Sequence, residues 1–150
     1  MDVAARRAAP EDADVISCLR AAAAHELSGA RAGELLVREG PFPSPPAAEV
    51  LVGVVEIDAV VVGFVEAALV ELGDGGALCR VASVYVEAAA REVGAGEALM
   101  ELARSWASDR GAEGIDVAVL PGAREAKNFL ESAGFAARLL VMHRPLAPGS

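Results

Sequence analysis

Val84-Tyr85-Val86-Glu87-Ala88-Ala89-Ala90-Arg91-Glu92-Val93-Gly94-Ala95-Gly96 passes from strand-forming residues through a short loop into a glycine-marked helix start. Beyond it Leu99, Leu102, Ala103 and Trp106 recur at helical spacing, Glu97, Glu101, Arg104 and Ser108 take another face, and Gly111 ends the pattern. Ile115, Val117 and Val119 then alternate as a strand. Strand, helix and strand in this order form a crossover, which predicts that the two strands lie parallel. Amides in a first helical turn lack partners within the helix, and the helix dipole adds partial positive charge there, so this segment is a candidate anion site. Gly94 and Gly96 let a pyrophosphate approach the backbone, and Arg91 can add a charge-assisted contact.

Upstream, Val3 to Ala9 reads as a short strand, and Pro10 and Asp12 open a helix with Val15, Ile16, Leu19 and Ala23 on its apolar face. A second helix is expected from Ala30 to Arg38, followed by an extended loop at Pro41-Phe42-Pro43-Ser44-Pro45-Pro46. Val50 to Ile57 and Val60 to Leu72 read as a hairpin turning at Asp58-Ala59, and Leu78 to Val86 returns after Gly73-Asp74-Gly75-Gly76 as a third antiparallel strand. Downstream, Ala126, Phe129, Leu130 and Ala133 give another helical face before Gly134, and Ala137 to His143 reads as a last strand ended by Pro145. These readings give an α/β fold with a mixed, mostly antiparallel sheet and helices on both faces.

Composition narrows the function. The chain has 150 residues, 54% of them hydrophobic, which suits one domain over residues 1–150. The longest apolar stretch, Val50 to Val70, is broken by Glu56, Asp58 and Glu66, so no membrane helix is expected. Arg6 and Arg7 lead straight to Glu11, Asp12 and Asp14 without the apolar segment of a secretory signal, which points to the cytoplasm. A net charge of -9 argues against nucleic-acid binding. Cys18 and Cys79 read as buried small hydrophobes, and with His25 and His143 far apart no metal site is expected.

Two phosphate-binding patterns fail here. Gly94-Ala95-Gly96 begins like a dinucleotide fingerprint, but Leu99 stands where the third glycine belongs, and no Gly-Lys-Ser or Gly-Lys-Thr occurs. The segment instead resembles the Gcn5-related N-acetyltransferase (GNAT) family, whose motif is a hydrophobic strand end, a loop, then Arg or Gln, two residues, Gly, one residue and Gly or Ala. Val84-Tyr85-Val86 and Arg91-x-x-Gly94-x-Gly96 match in order and spacing, and Ala126, Phe129, Glu131, Gly134 and Phe135 fall in register with the family's second signature. The resemblance implies a V-shaped opening between the strand carrying Val84 and Val86 and the parallel strand near Val117. It also implies acetyl-coenzyme A as cosubstrate and no metal. The main chain of Val84 and Val86 would pair with the pantetheine arm. The amides of Arg91, Glu92, Val93, Gly94, Ala95 and Gly96 would hold the pyrophosphate. The activity implied is acetyl transfer to a primary amine of a small molecule or peptide, a strand amide stabilising the oxyanion; the alternative is a non-catalytic acyl-coenzyme A sensor or partner-binding domain of the same fold.

Departures from the family pattern set the remaining expectations. Leu130 stands where a tyrosine usually protonates the leaving thiolate, and Ala123 replaces a usual asparagine, leaving Asn128 on the same helix as a candidate cofactor contact. Arg80 occupies the strand position where relatives often hold a base, and an arginine cannot serve as one. Glu66 on the preceding strand is the candidate base. Strand parity predicts Arg80, Ala82, Val84 and Val86 on one face, with Arg80 toward the acceptor, and places Tyr85 opposite, in the core or on a homodimer surface. His25 and Glu26, after the first helix, are candidate acceptor contacts, and His143 is expected in a structural role.

Overall fold

The computed structural model describes residues 1–30, 33–39 and 49–146. Its strands are β1 (Val3–Arg7), β2 (Val50–Ile57), β3 (Val60–Glu71), β4 (Ala77–Val86) and β5 (Ile115–Val117), and its helices are α1 (Ala13–Ser28), α2 (Gly33–Glu39), α3 (Ala95–Asp109) and α4 (Arg124–Ser132). The strands lie in the order β1-β2-β3-β4-β5. Neighbours are antiparallel except β4 and β5, which pair in parallel as the crossover requires. The expected loop from Pro41 to Pro46 lies outside the described residues.

Two apolar layers hold the helices to opposite faces of this sheet. On one face Leu51, Val55, Val65, Cys79 and Val81 pack with Leu99, Ala103 and Trp106 of α3 and with Leu130 of α4. On the other, Ile16, Leu19 and Ala23 of α1 cover Val54 and Phe64, with Tyr85 alongside. The entry to α1 is fixed electrostatically. The buried Asp12 carboxylate accepts from Arg6 Nη1 (2.7 Å) and Nη2 (3.0 Å) and from the Ala9 amide (2.7 Å), and these bonds hold its pKa down at about 2.

Three features depart from the sequence reading. First, β4 carries a bulge: Glu66 faces Ser83 while Ala67 faces Val81, leaving Ala82 as the extra residue. An extra residue reverses parity, so Val81 below it and Val84 above it both reach the α3 side, whereas Arg80 does not share a face with Val84 and Val86. Second, residues 137–143 form no strand, and Leu139, Leu140, Val141 and Met142 are 75 to 82% exposed; His143 is exposed with them. Their composition favours a strand, but among the described residues no strand pairs with them. Third, Cys18 is exposed, on the outward side of α1; only Cys79 behaves as a buried hydrophobe, its thiol pushed up to about 11 mainly by burial.

Candidate functional site

The parallel ladder between β4 and β5 is three pairs long, Cys79 with Ile115, Arg80 with Asp116 and Val81 with Val117. Beyond Val117 the second strand stops while β4 continues to Val86, so the two chains part and one edge of β4 is open from Ala82 onward. Glu87 N–H donates to Val62 O at 2.9 Å across the other edge. Backbone groups alternate in direction along a strand, so the peptide groups of Val86 and Val84 turn away from β3, toward the opening. That is the polar edge a strand-like ligand arm would need.

The opening leads to the start of α3. After Val86 the chain makes a short 3-10 turn at Ala88–Ala90, takes a positive φ of 69° at Glu92, and reaches Gly94 at φ 89° as the residue preceding the helix. No side chain caps α3, whose first internal bond runs from Ala98 N–H to Gly94 O (3.0 Å). The first-turn amides thus face outward beside the open edge. A methyl group on Gly94 would meet nothing within 4 Å, leaving room in front of the loop, and one on Gly96 would lie 3.3 Å from the Phe129 ring of α4. Gly96 therefore also serves helix packing.

Arg91 spans the two halves of this loop. Its Nε donates to Val86 O (2.8 Å), its Nη2 donates to both carboxylate oxygens of Glu26 (3.1 and 2.8 Å), and its guanidinium lies 5.4 Å from the Tyr85 ring centre. Hydrogen bonding to Glu26 is the main reason its pKa is raised. Glu26, expected on the acceptor side, sits instead at the loop before α3, paired with Arg91. His25 is exposed on the last turn of α1 and Asn128 is exposed on α4.

The α1 face of the sheet carries the other charged groups. Glu66 accepts two bonds from Arg20, from Nε (2.7 Å) and Nη2 (3.0 Å). Arg80 Nε lies 4.0 Å from Asp116, whose carboxylate also accepts from Arg138 Nε (2.9 Å) and Nη2, the main cause of its lowered pKa. Leu130 is buried in the core rather than turned toward the opening. A cavity of about 390 Å³ lies elsewhere, between the start of β5, the end of α4 and Arg138. It is an open notch whose lining includes none of residues 82–96, and the unpaired β4 edge is the better candidate for chemistry. Among the described residues no group of three or more His, Cys, Asp or Glu could hold a metal, and no helix is long and apolar enough to cross a membrane.

Sequence reasoning found the loop and missed its ties. Arg20 and Glu26 meet their partners across 46 and 65 residues of chain, so no local spacing announces either contact.

Residues 20–135 match the acetyltransferase (GNAT) family. No curated protein matches the chain in sequence. Among solved structures, AAC(6')-Iy in complex with the bisubstrate analog CoA-S-monomethyl-acetylneamine superposes with a TM-score of 0.72 at 14% identity, over 98% of this chain and 100% of that one. Ribosomal-protein-alanine N-acetyltransferase from Brucella melitensis biovar Abortus 2308 gives 0.70 at 18%, over 97% and 100%. Glucosamine-6-phosphate N-acetyltransferase from Arabidopsis thaliana gives 0.68 at 14%, over 98% and 100%. At such identities the likeness is one of fold.

Proposed function

The chain belongs to the GNAT acetyltransferase family, and on that premise we propose that it is a single-domain enzyme moving an acetyl group from acetyl-coenzyme A to a primary amine of a small molecule or peptide. The observation that carries the proposal is the divergence of β4 from β5 directly into the uncapped start of α3. In this reading the amides from Arg91 to Gly96 hold the pyrophosphate, and the main chain of Val84 and Val86 binds the pantetheine arm, Val86 through its N–H while its carbonyl accepts from Arg91. Acetyl-coenzyme A supplies the activated acyl group.

The chain's own residues must then manage one proton. An amine with a pKa near about 10 has to lose a proton before it attacks, whereas a thiol with a pKa near about 8.5 leaves readily as thiolate. A base therefore matters more than an acid, which fits a protein whose position 130 is core leucine. Glu66 is the proposed base, directly or through water, and Arg20 must release one of its oxygens for it to act. Arg80 lies 4.0 Å from Asp116, whose carboxylate also engages Arg138.

The test is release of free coenzyme A from acetyl-coenzyme A over a panel of amines, with Glu66→Gln as control. We expect turnover with at least one amine, and a loss of about 10²-fold to 10⁴-fold in the variant at unchanged coenzyme A affinity. The Arg20–Glu66 pair also favours a second reading, a non-catalytic acyl-coenzyme A sensor. Tight acetyl-coenzyme A binding with no turnover on any amine would select it.

A further inference from the structure

Glu66 and Arg20 form an ion pair beside the place where the sheet opens. Glu66 faces Ser83 across the β3–β4 ladder, and the bulge residue Ala82 next to Ser83 follows the last parallel pair, Val81 with Val117. The carboxylate therefore belongs to the strand adjoining β4, about 4.8 Å away in the sheet, at the level where β4 loses its other neighbour. The helix α1 supplies its partner. Arg20 donates from Nε to one oxygen (2.7 Å) and from Nη2 to the other (3.0 Å). The side chain of Arg20 is 51% exposed and that of Glu66 24%, so a small molecule can reach both.

The pair is a neutral unit of two opposite charges, and that decides which amine can enter it. An amine with no second charge takes Glu66 and strips the guanidinium of its partner. An α-amino carboxylate leaves neither group alone: its carboxylate accepts the two parallel bonds that Glu66 accepts in the free protein, and its ammonium donates to Glu66. One carbon separates the two groups, so rotation of two partly exposed side chains meets both, and one ion pair becomes two. Resting on the acetyl-transfer reading above, we infer that the acceptor is an α-amino carboxylate, held at its carboxylate by Arg20 and at its amine by Glu66.

Binding then prepares the chemistry. The substrate carboxylate draws Arg20 off the Glu66 oxygens and delivers the ammonium to them. One proton passes from nitrogen to Glu66, and the nitrogen lone pair bonds to the acetyl carbon. A second proton leaves nitrogen as the carbon–sulfur bond breaks, the sulfur keeping the electron pair and taking that proton through water; Glu66 returns its own proton to solvent. Without a substrate carboxylate, Arg20 keeps its hold on the base.

The test is coenzyme A release with the common L-amino acids, each beside its own α-carboxamide, which keeps the amine and loses the charge. No anion stabilises the ammonium form of the amide, so its amine is the less basic and chemistry alone favours it. The parent protein is expected to prefer an acid over its amide by about tenfold or more in kcat/KM, chiefly through KM. Arg20→Gln should bring that ratio to about one, and Arg20→Lys, which keeps the charge without the fork, should fall between. Turnover confined to amides, or to amines without a carboxylate, overturns the inference and leaves the acetyl-transfer reading standing. So does an acid preference that survives in Arg20→Gln, because another group would then hold the carboxylate. If no amine of any kind releases coenzyme A, the acetyl-transfer reading fails and this inference falls with it.

Discussion

Glu26 is expected to oppose the ligand that Arg91 serves. Its carboxylate occupies the guanidinium through bonds of 2.8 and 3.1 Å, on the group that a pyrophosphate oxygen would use. If coenzyme A takes Arg91 over, the ion pair exists in the free protein and is absent from the complex. Glu26→Gln then lowers the stability of the free form alone and strengthens binding by the same free energy. Exposed ion pairs contribute roughly 0.2 to 1 kcal/mol, and this one is bidentate with both partners partly exposed, so the upper end, about 1 kcal/mol, applies. At about 1.4 kcal/mol per tenfold, coenzyme A should bind about fivefold more tightly to the variant. Isothermal titration gives the affinity, and melting curves of free and coenzyme A-saturated protein give the two stabilities. The free variant should melt lower than the parent, and the saturated forms should coincide after correction for affinity. An unchanged affinity, with equal losses in both forms, would mean that the pair persists in the complex. The reasoning would then be refuted, and Glu26 would be a brace between α1 and the loop.

Gly94→Ala places a side chain at φ 89° and into the open space before α3, so it should cost about 1 kcal/mol of stability and sharply reduce the melting-temperature rise with coenzyme A. A full ligand-dependent rise in this variant would move the phosphate site elsewhere. Asp12 has a folded pKa of about 2 against an ordinary 3.8, so its contribution is complete above about pH 4 and vanishes as pH falls through about 2. Asp12→Asn should be less stable than the parent at neutral pH and lose less in that acid window, as read from urea melts; parallel acid limbs would contradict this. Leu130→Tyr adds bulk and a hydroxyl to a buried site, so it should destabilise by about 1 to 3 kcal/mol without raising turnover. Faster release of coenzyme A in that variant would show that position 130 reaches the opening after all.

The fold was legible wherever local chemistry decides it. The β2–β3 turn at Asp58 and Ala59, both at positive φ, and the helices α1, α3 and α4 follow from turn residues and apolar spacing. The parallel placement of β4 and β5 follows from the handedness and length of a crossover, which any sequence must obey. Residues 137–143 were read as a strand because their composition suits one, yet a strand exists only as part of a ladder, and whether a partner edge is available is a property of the whole fold. The three-residue β5 decides that question, and its shortness leaves no mark on residues twenty positions away.

The acceptor side shows the same limit at the scale of one residue. Parity along β4 places Arg80 beside Val84 only if the strand is regular, and the bulge at Ala82 breaks that count without any glycine or proline to announce it. The consequence is chemical. With the parity reversed, Arg80 leaves the face of Val84 and Val86 and joins the face that holds Glu66 and Asp116, where its charge is shared rather than isolated. The bulge also stands where the β4–β5 ladder ends, so one extra residue accompanies both the opening of the strand edge and the turn of Arg80 away from it. A sequence motif locates the glycine-marked loop before α3, the proposed phosphate site, because amides and glycines act through the backbone, which spacing determines. The groups proposed to meet the amine act through side chains, and their direction depends on a register that only the paired strands reveal.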